Sequence, residues 1–201
     1  MVRRLLLASL VAALAGAPGC TSGPAPRGAA PVRVEIETGA GTFLAELDPG
    51  SAPGTVANFL RYVDAGLYDG GRFHRTVRDD NQPGDAIRID VVQGGPDPSN
   101  AKRGFPPIAL ESTKRTGLRH RDGTLSMARA DPDSATADFF VCIGDQPELD
   151  HGGRRNPDGQ GFAAFGRVVE GMDVVRAIHG AHANGQRLDP PVPIVRARRR
   201  P

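Results

Sequence analysis

From residue 32 onward the chain is written in short alternating runs, each cut after a few residues by a backbone punctuator. Val32, Val34 and Ile36 alternate with Arg33, Glu35 and Glu37, the two-residue period of a half-buried strand. Thr38-Gly39-Ala40-Gly41 reads as a turn, and Phe43, Ala45 and Leu47 begin a returning strand. Further short strands are predicted near residues 72–77, 86–93, 124–128, 138–143, 163–168 and 192–196. The chain holds 26 glycines and 18 prolines in 201 residues, which interrupts it too often for a helical bundle. Two segments break the alternation. Val56, Phe59, Leu60 and Val63 stand at i, i+3, i+4 and i+7, one face of a helix, with Ser51 a candidate cap, Pro53 in the first turn and Gly66 as the stop. A second helix is expected over 172–178, where Val174, Val175 and Ile178 precede Gly180. Many short strands with two helices predict a mostly β fold, a closed or nearly closed antiparallel barrel with the helices over its ends. The apolar fraction of 39% supplies a core and excludes wholesale disorder.

The amino terminus reads as an address. Arg3 and Arg4 precede an uninterrupted run of small and aliphatic residues over 5–15. That run is too short for a bilayer core, which needs about 20 apolar residues, but fits the apolar part of a secretory signal. Ala17-Pro18-Gly19-Cys20 resembles a bacterial lipoprotein cleavage site, where the cysteine is acylated and becomes the first residue. Residues 1–19 are therefore expected to be a signal peptide, Cys20 a lipidation site, and 20–31 a flexible Gly/Ala/Pro/Ser-rich tether. Ordinary signal cleavage or a retained anchor are the alternatives. The chain would be exported to the periplasm or cell envelope. The formal charge of +2 gives no electrostatic reason to expect nucleic acid. The body is expected to span 32–196, with 197–201 a solvated basic tail. Cys142, inside an apolar run, reads as a buried small hydrophobe. His179 and His182 resemble a metal pair but straddle Gly180 and Ala181 in a turn. Asn156-Pro157-Asp158-Gly159 lacks the later acid of a calcium loop, so no metal is expected. No G-x-S-x-G elbow marks a hydrolase.

Five segments are specific when taken together. They are Phe73-His74-Arg75-Thr76-Val77, Val92-Gln93-Gly94-Gly95, Ser126-Met127-Ala128-Arg129, Asp138-Phe139-Phe140-Val141, and Ala164-Phe165-Gly166-Arg167-Val168 running into Glu170-Gly171-Met172. In this order and approximate spacing the chain resembles cyclophilin-type peptidyl-prolyl cis-trans isomerases, over roughly residues 32–178. The resemblance implies an eight-stranded antiparallel closed barrel capped by two α-helices, with a shallow external groove that isomerises X-Pro bonds without a cofactor. It places Arg75 on the catalytic arginine and Gln93 on the glutamine that contacts and positions substrate. Phe140 and Leu149 fall on walls of the proline pocket, with Val91 where the family usually has methionine. Ala128 and Arg129 fall where the groove binds substrate backbone. The implied partners are proline-containing peptides and unfolded proteins, bound by a monomer.

The residue types suit that chemistry on their own terms. Resonance opposes rotation about an X-Pro bond with a barrier of about 18–20 kcal/mol. No nucleophile and no net proton transfer are needed. A donor must engage the imide nitrogen as its lone pair leaves conjugation, while a pocket holds the ring. Arginine stays charged and presents several N–H groups in a fixed fork. Strand alternation puts Val91 beside Gln93 and Asp138 beside Phe140, and turns Phe139 toward the core.

Three departures from the family pattern bear on the site. The stretch between Arg75 and Gln93 is longer than in compact members, and Asp90 or Ile89 occupies the place of an aromatic pocket residue. Asp138 stands where glutamine is typical; a carboxylate there either orients Arg75 or competes with substrate for it. An extension over 151–161 precedes Phe162, which stands where histidine or tyrosine often closes the groove. Glu148 replaces a tryptophan that contributes to cyclosporin binding, so weak cyclosporin sensitivity is expected. The function expected is a prolyl isomerase assisting envelope-protein folding. The alternative is a noncatalytic proline-peptide binding module or holdase on the same barrel.

Overall fold

The alternation over residues 32–47 forms a tight hairpin. Strands β1 (Val32–Thr38) and β2 (Gly41–Leu47) pair from Val32↔Leu47 down to Thr38↔Gly41, leaving Gly39 and Ala40 as the turn. Gly41 sits at φ 130°, a conformation side chains rarely adopt, and a Cβ there would run into Val174. The computed structural model describes residues 28–201. The predicted signal peptide, Cys20 and most of the tether therefore lie outside the described residues. Among the described residues no helix is long and apolar enough to cross a membrane.

Helix α1 (Pro53–Asp64) follows, with Pro53 at its first positions as expected. Ser51 is not its cap. The N-cap is Ala52, and the exposed N–H groups are met by a distant carboxylate: Glu111 accepts from the Gly54 N–H (3.2 Å), the Thr55 N–H (2.7 Å) and the Thr55 hydroxyl (2.7 Å). An acid at a helix N-terminus satisfies orphan donors and complements the helix dipole together. Gly66, at φ 63°, ends the helix where the sequence placed its stop.

Then come β3 (Arg72–Val77), β4 (Val91–Gly95), a one-turn helix α2 (Thr113–Thr116), β5 (Thr124–Met127), β6 (Phe139–Cys142), β7 (Ala163–Glu170), α3 (Met172–His179), the short β8 (Ala183–Asn184) and β9 (Arg187–Arg200). The order around the sheet is β1-β2-β7-β5-β6-β4-β3-β9, and β9 pairs back onto β1. Eight antiparallel strands therefore close a barrel, and β8 is a hairpin appendage on β9. Residues 86–90, expected as the start of a strand, run outside the ladder. The side chain of Gln82 accepts from the Ile89 N–H and donates to the Ile89 carbonyl, taking the place of a neighbouring strand.

The solvated basic tail does not exist as such. Residues 197–200 are the end of β9 and form the closing seam, with Ile36 opposite Ala197 and Arg33 opposite Arg200. Ala197 is buried. The arginines meet acids on neighbouring elements: Arg196–Glu37 at 2.8 Å, Arg198–Asp69 at 2.6 Å, Arg200–Glu35 at 2.7 Å, and Arg199 on Asp64. An open β1 edge would leave its N–H and C=O groups unpaired, and the last residues of the chain cover it.

Inside the barrel, aromatic rings interlock around Phe139. It meets Phe59 at 5.4 Å, Tyr68 at 5.6 Å and Phe73 at 5.7 Å between centroids, all near-perpendicular. Cys142 is buried as a free thiol, and burial pushes its ionisation far up.

Candidate active site

A second, smaller apolar cluster lies on the outside of the barrel. Val77, Ile89, Val91, Phe140, Cys142 and Leu149 form it, with Ala128 and Phe162 packed against it. The strand period explains how two adjacent phenylalanines serve both sides: Phe139 enters the core and Phe140 the outer cluster. Above this cluster opens a groove of about 560 Å³. Every residue expected at the site lines it: Arg75, Val91, Gln93, Ala128, Arg129, Asp138, Phe140, Leu149 and Phe162.

Arg75 reaches the groove through an irregularity. Simple alternation would put it on the face of Phe73, which is wholly buried. The β3–β4 register instead jumps from Phe73↔Gly94 to Arg75↔Gln93, so His74 is an extra residue, a bulge that turns Arg75 outward. The same registry continues across the sheet: Gln93 lies opposite Phe140, and Phe140 opposite Ser126. Arg75, Gln93, Phe140 and Ser126, from four strands, thus form one row across the barrel wall.

Hydrogen bonds fix the row. Arg75 donates from Nη1 to Gln93 Oε1 (3.1 Å), and from Nε (3.0 Å) and Nη2 (2.6 Å) to Gln186 Oε1. Gln93 in turn donates from Nε2 to Asp138 Oδ2 (3.2 Å), which also lies 3.5 Å from His74 Nε2. Asp138 therefore orients Gln93 and has no bond to Arg75 among the described residues. Because a carboxylate only accepts, it dictates that the Gln93 amide turns its oxygen to Arg75. The two glycines after Gln93 make room. A Cβ on Gly94 would strike the Phe73 ring, and one on Gly95 would land on the Asp138 carboxylate. Burial, then the like charge of Arg155, press against ionisation of Arg75, with Asp85 opposing. An arginine nonetheless stays charged.

The pocket floor has its own support. His120 is wholly buried and stacks on Phe140, centroids 6.0 Å apart and planes 16° apart. Its Nδ1 lies 2.8 Å from Asp150 Oδ1 and its Nε2 2.9 Å from Ser126 Oγ. Asp150 also accepts from the His120 backbone N–H at 3.1 Å.

The insertions complete the walls. In the first, Ile89 and not Asp90 lines the groove; it is buried in one cluster with Phe140, while Asp90 stands 3.7 Å from His179. In the second, Arg129 spends its guanidinium on Asp158 (2.8 and 2.9 Å) and the Gly161 carbonyl, so it offers the groove only its backbone. Phe162 stands perpendicular to Phe140 at 5.3 Å. Arg155 joins the two insertions by donating to Asp85 (3.1 Å) and to the Ile87 carbonyl (2.6 Å). Glu148 is paired with Arg154 at 2.8 Å, away from the groove lining. His179 and His182 face different carbonyls, of Val77 and Asp189.

Sequence reasoning missed Gln186 and the His120–Asp150–Ser126 chain. Gln186 lies 111 residues from Arg75 in a turn with no motif, and only the β3–β9 pairing brings them together. Beyond Arg75 a larger cleft, about 850 Å³, is lined by Arg72, His74, Phe105, Gln186, Leu188 and Pro191 among others, and shares Arg75, Thr136 and Asp138 with the groove.

The family described as Cyclophilin type peptidyl-prolyl cis-trans isomerase/CLD matches residues 33–199. The peptidyl-prolyl cis-trans isomerase cyp18 of Streptomyces antibioticus is 42% identical over 162 residues, 80% of this chain and 91% of that one. Peptidyl-prolyl cis-trans isomerase B of Escherichia coli K12 is 32% identical over 161 residues, covering 80% and 92%. A crystal structure of a cyclophilin type peptidyl-prolyl cis-trans isomerase from Cryptosporidium parvum superposes with a TM-score of 0.68 at 20% identity, covering 85% of this chain and 98% of its own.

Proposed function

The chain belongs to the cyclophilin-type peptidyl-prolyl cis-trans isomerases, and on that premise we propose that Arg75 drives the isomerisation, in an exported protein held at the cell envelope by a lipid on Cys20. The proline ring of an X-Pro peptide sits on Phe140, between Val91, Ile89, Leu149 and Phe162. The backbone of Ala128 and Arg129 borders the acyl side. As the C–N bond twists, its nitrogen pyramidalises and gains a localised lone pair, and an Arg75 N–H donates to it. That hydrogen bond exists only in the twisted state, so it lowers the barrier and leaves ground-state binding unchanged. About 5–6 kcal/mol of differential stabilisation corresponds to about 10⁴-fold acceleration. No cofactor enters.

The observation that carries this reading is the setting of Arg75 between two neutral amide oxygens at the edge of an apolar pocket, its charge intact. A protease-coupled assay on a short X-Pro peptide tests it: Arg75→Ala should lose about a hundredfold in kcat/KM, as losing one oriented donor at a reacting centre does. Equal rates for the variant and the parent would refute it. Envelope-protein folding as the setting rests on the leader-like residues 1–19 and on Cys20. Mass spectrometry of the mature amino terminus should find an acylated Cys20; an unprocessed Met1 would refute export.

A further inference from the structure

We propose that Gln186 is a positioning residue for the isomerase reaction, holding the Arg75 fork so that a defined pair of N–H groups faces the substrate. The proposal rests on Arg75 being the group that meets the imide nitrogen. A guanidinium has five N–H donors. Gln186 Oε1 takes two, from Nε at 3.0 Å and Nη2 at 2.6 Å, and Gln93 Oε1 takes one from Nη1 at 3.1 Å. One N–H on Nη1 and one on Nη2 remain, and these are the donors left for the substrate.

Gln186 is itself held. Its backbone carbonyl accepts from the Thr76 N–H at 2.9 Å, and its Nε2 lies 3.4 Å from the Asn81 carbonyl. It does not line the groove over Phe140; it lies on the opposite side of Arg75, in the wall of the adjoining cleft. It therefore acts through the arginine. The residue type matters as well as the reach. A carboxylate at this place would form a bidentate ion pair and neutralise the charge that the twisted imide needs. An amide oxygen fixes the same two donors and leaves the charge in place.

The test compares Gln186→Met, which keeps length and apolar bulk but loses the strong acceptor, with Gln186→Glu, which keeps the acceptor and adds charge. Each is measured alone and in an Arg75→Lys background, with Arg75→Ala as the control for the underlying reading. Gln186→Met should lower kcat about tenfold, a change of about 1.4 kcal/mol, with KM within about twofold and an unchanged melting temperature. Gln186→Glu should fall at least as far at neutral pH. Lysine has no fork to orient, so adding Gln186→Met to Arg75→Lys should cost nothing more. Full kcat in Gln186→Met alongside an inactive Arg75→Ala overturns the role of Gln186 alone. A loss confined to KM, or one that persists beside Arg75→Lys, overturns it too, because Gln186 would then touch substrate itself. An active Arg75→Ala removes the reading beneath it. If Gln186→Met fails to fold, Gln186→Glu decides: parental kcat in that variant overturns the proposal.

Discussion

Replacing Asp150 by asparagine tests whether the pocket floor is held from below by charge. Asp150 is buried, and its Oδ1 accepts from both the ring Nδ1 of His120 (2.8 Å) and its backbone N–H (3.1 Å), with Arg119 Nη1 3.4 Å from Oδ2. Hydrogen bonds to a charged acceptor contribute about 1.5–3 kcal/mol, neutral ones about 0.5–1.5. Two bonds each weakened by about 1 kcal/mol give a loss of about 2 kcal/mol. For a chain of this length that lowers the melting temperature by about 4–8 °C. The pH dependence has a definite sign. Burial pushes the Asp150 carboxyl up, but the His120 ring and backbone N–H groups, with the charges of His120 and Arg119, outweigh it and hold the group below its ordinary value. Its contribution is therefore complete above the unfolded value, about 3.9, and is lost as pH falls through the lower folded value. Asp64, Asp69 and Asp158 are also held low by arginines, so the parent protein loses stability in acid for several reasons. Only the difference between parent and variant isolates Asp150. Urea midpoints measured from pH 7 to 3.5 should show a gap that narrows below about pH 4. With its ring held less firmly, His120 supports Phe140 less well, and kcat/KM should fall a few-fold. A gap that is absent at pH 7, or undiminished at pH 3.5, refutes the argument.

Deleting residues 197–201 should lower the urea midpoint and weaken cooperativity, because it opens the β1–β9 seam and exposes the Ile36–Ala197 pairing; an unchanged midpoint would restore the solvated tail. Cyclosporin should inhibit only weakly, since Glu148 is turned to Arg154 and no tryptophan stands by the groove. Inhibition at nanomolar concentration in the coupled assay would contradict that.

The barrel was legible because its rules are local. Alternation over 32–47, a glycine turn and a helix opened by proline need only neighbours in sequence to be read. What escaped has one physical cause in each case, a partner far along the chain. Ser51 is a good cap by residue type, yet Glu111 reaches the helix from 57 positions away and takes its place. Residues 197–201 read as a solvated basic end because charge is visible in sequence and a vacant β1 edge is not.

The same division runs through the site. Gln93, Asp138 and Phe140 obey strand period two, so their faces could be assigned from spacing. Arg75 does not. Counting from the buried Phe73 would send it into the core; it lines the groove instead for a reason that alternation cannot express, the bulge at His74. A bulge is stabilised by what its neighbours tolerate, here two glycines opposite and a β9 strand that also slips register, from Phe73↔Val192 to Arg75↔Arg187. That slip carries Gln186 alongside the arginine. The irregularity that aims the guanidinium and the residue that steadies it are thus one structural event, and a substitution that restored regular pairing at His74 would lose both.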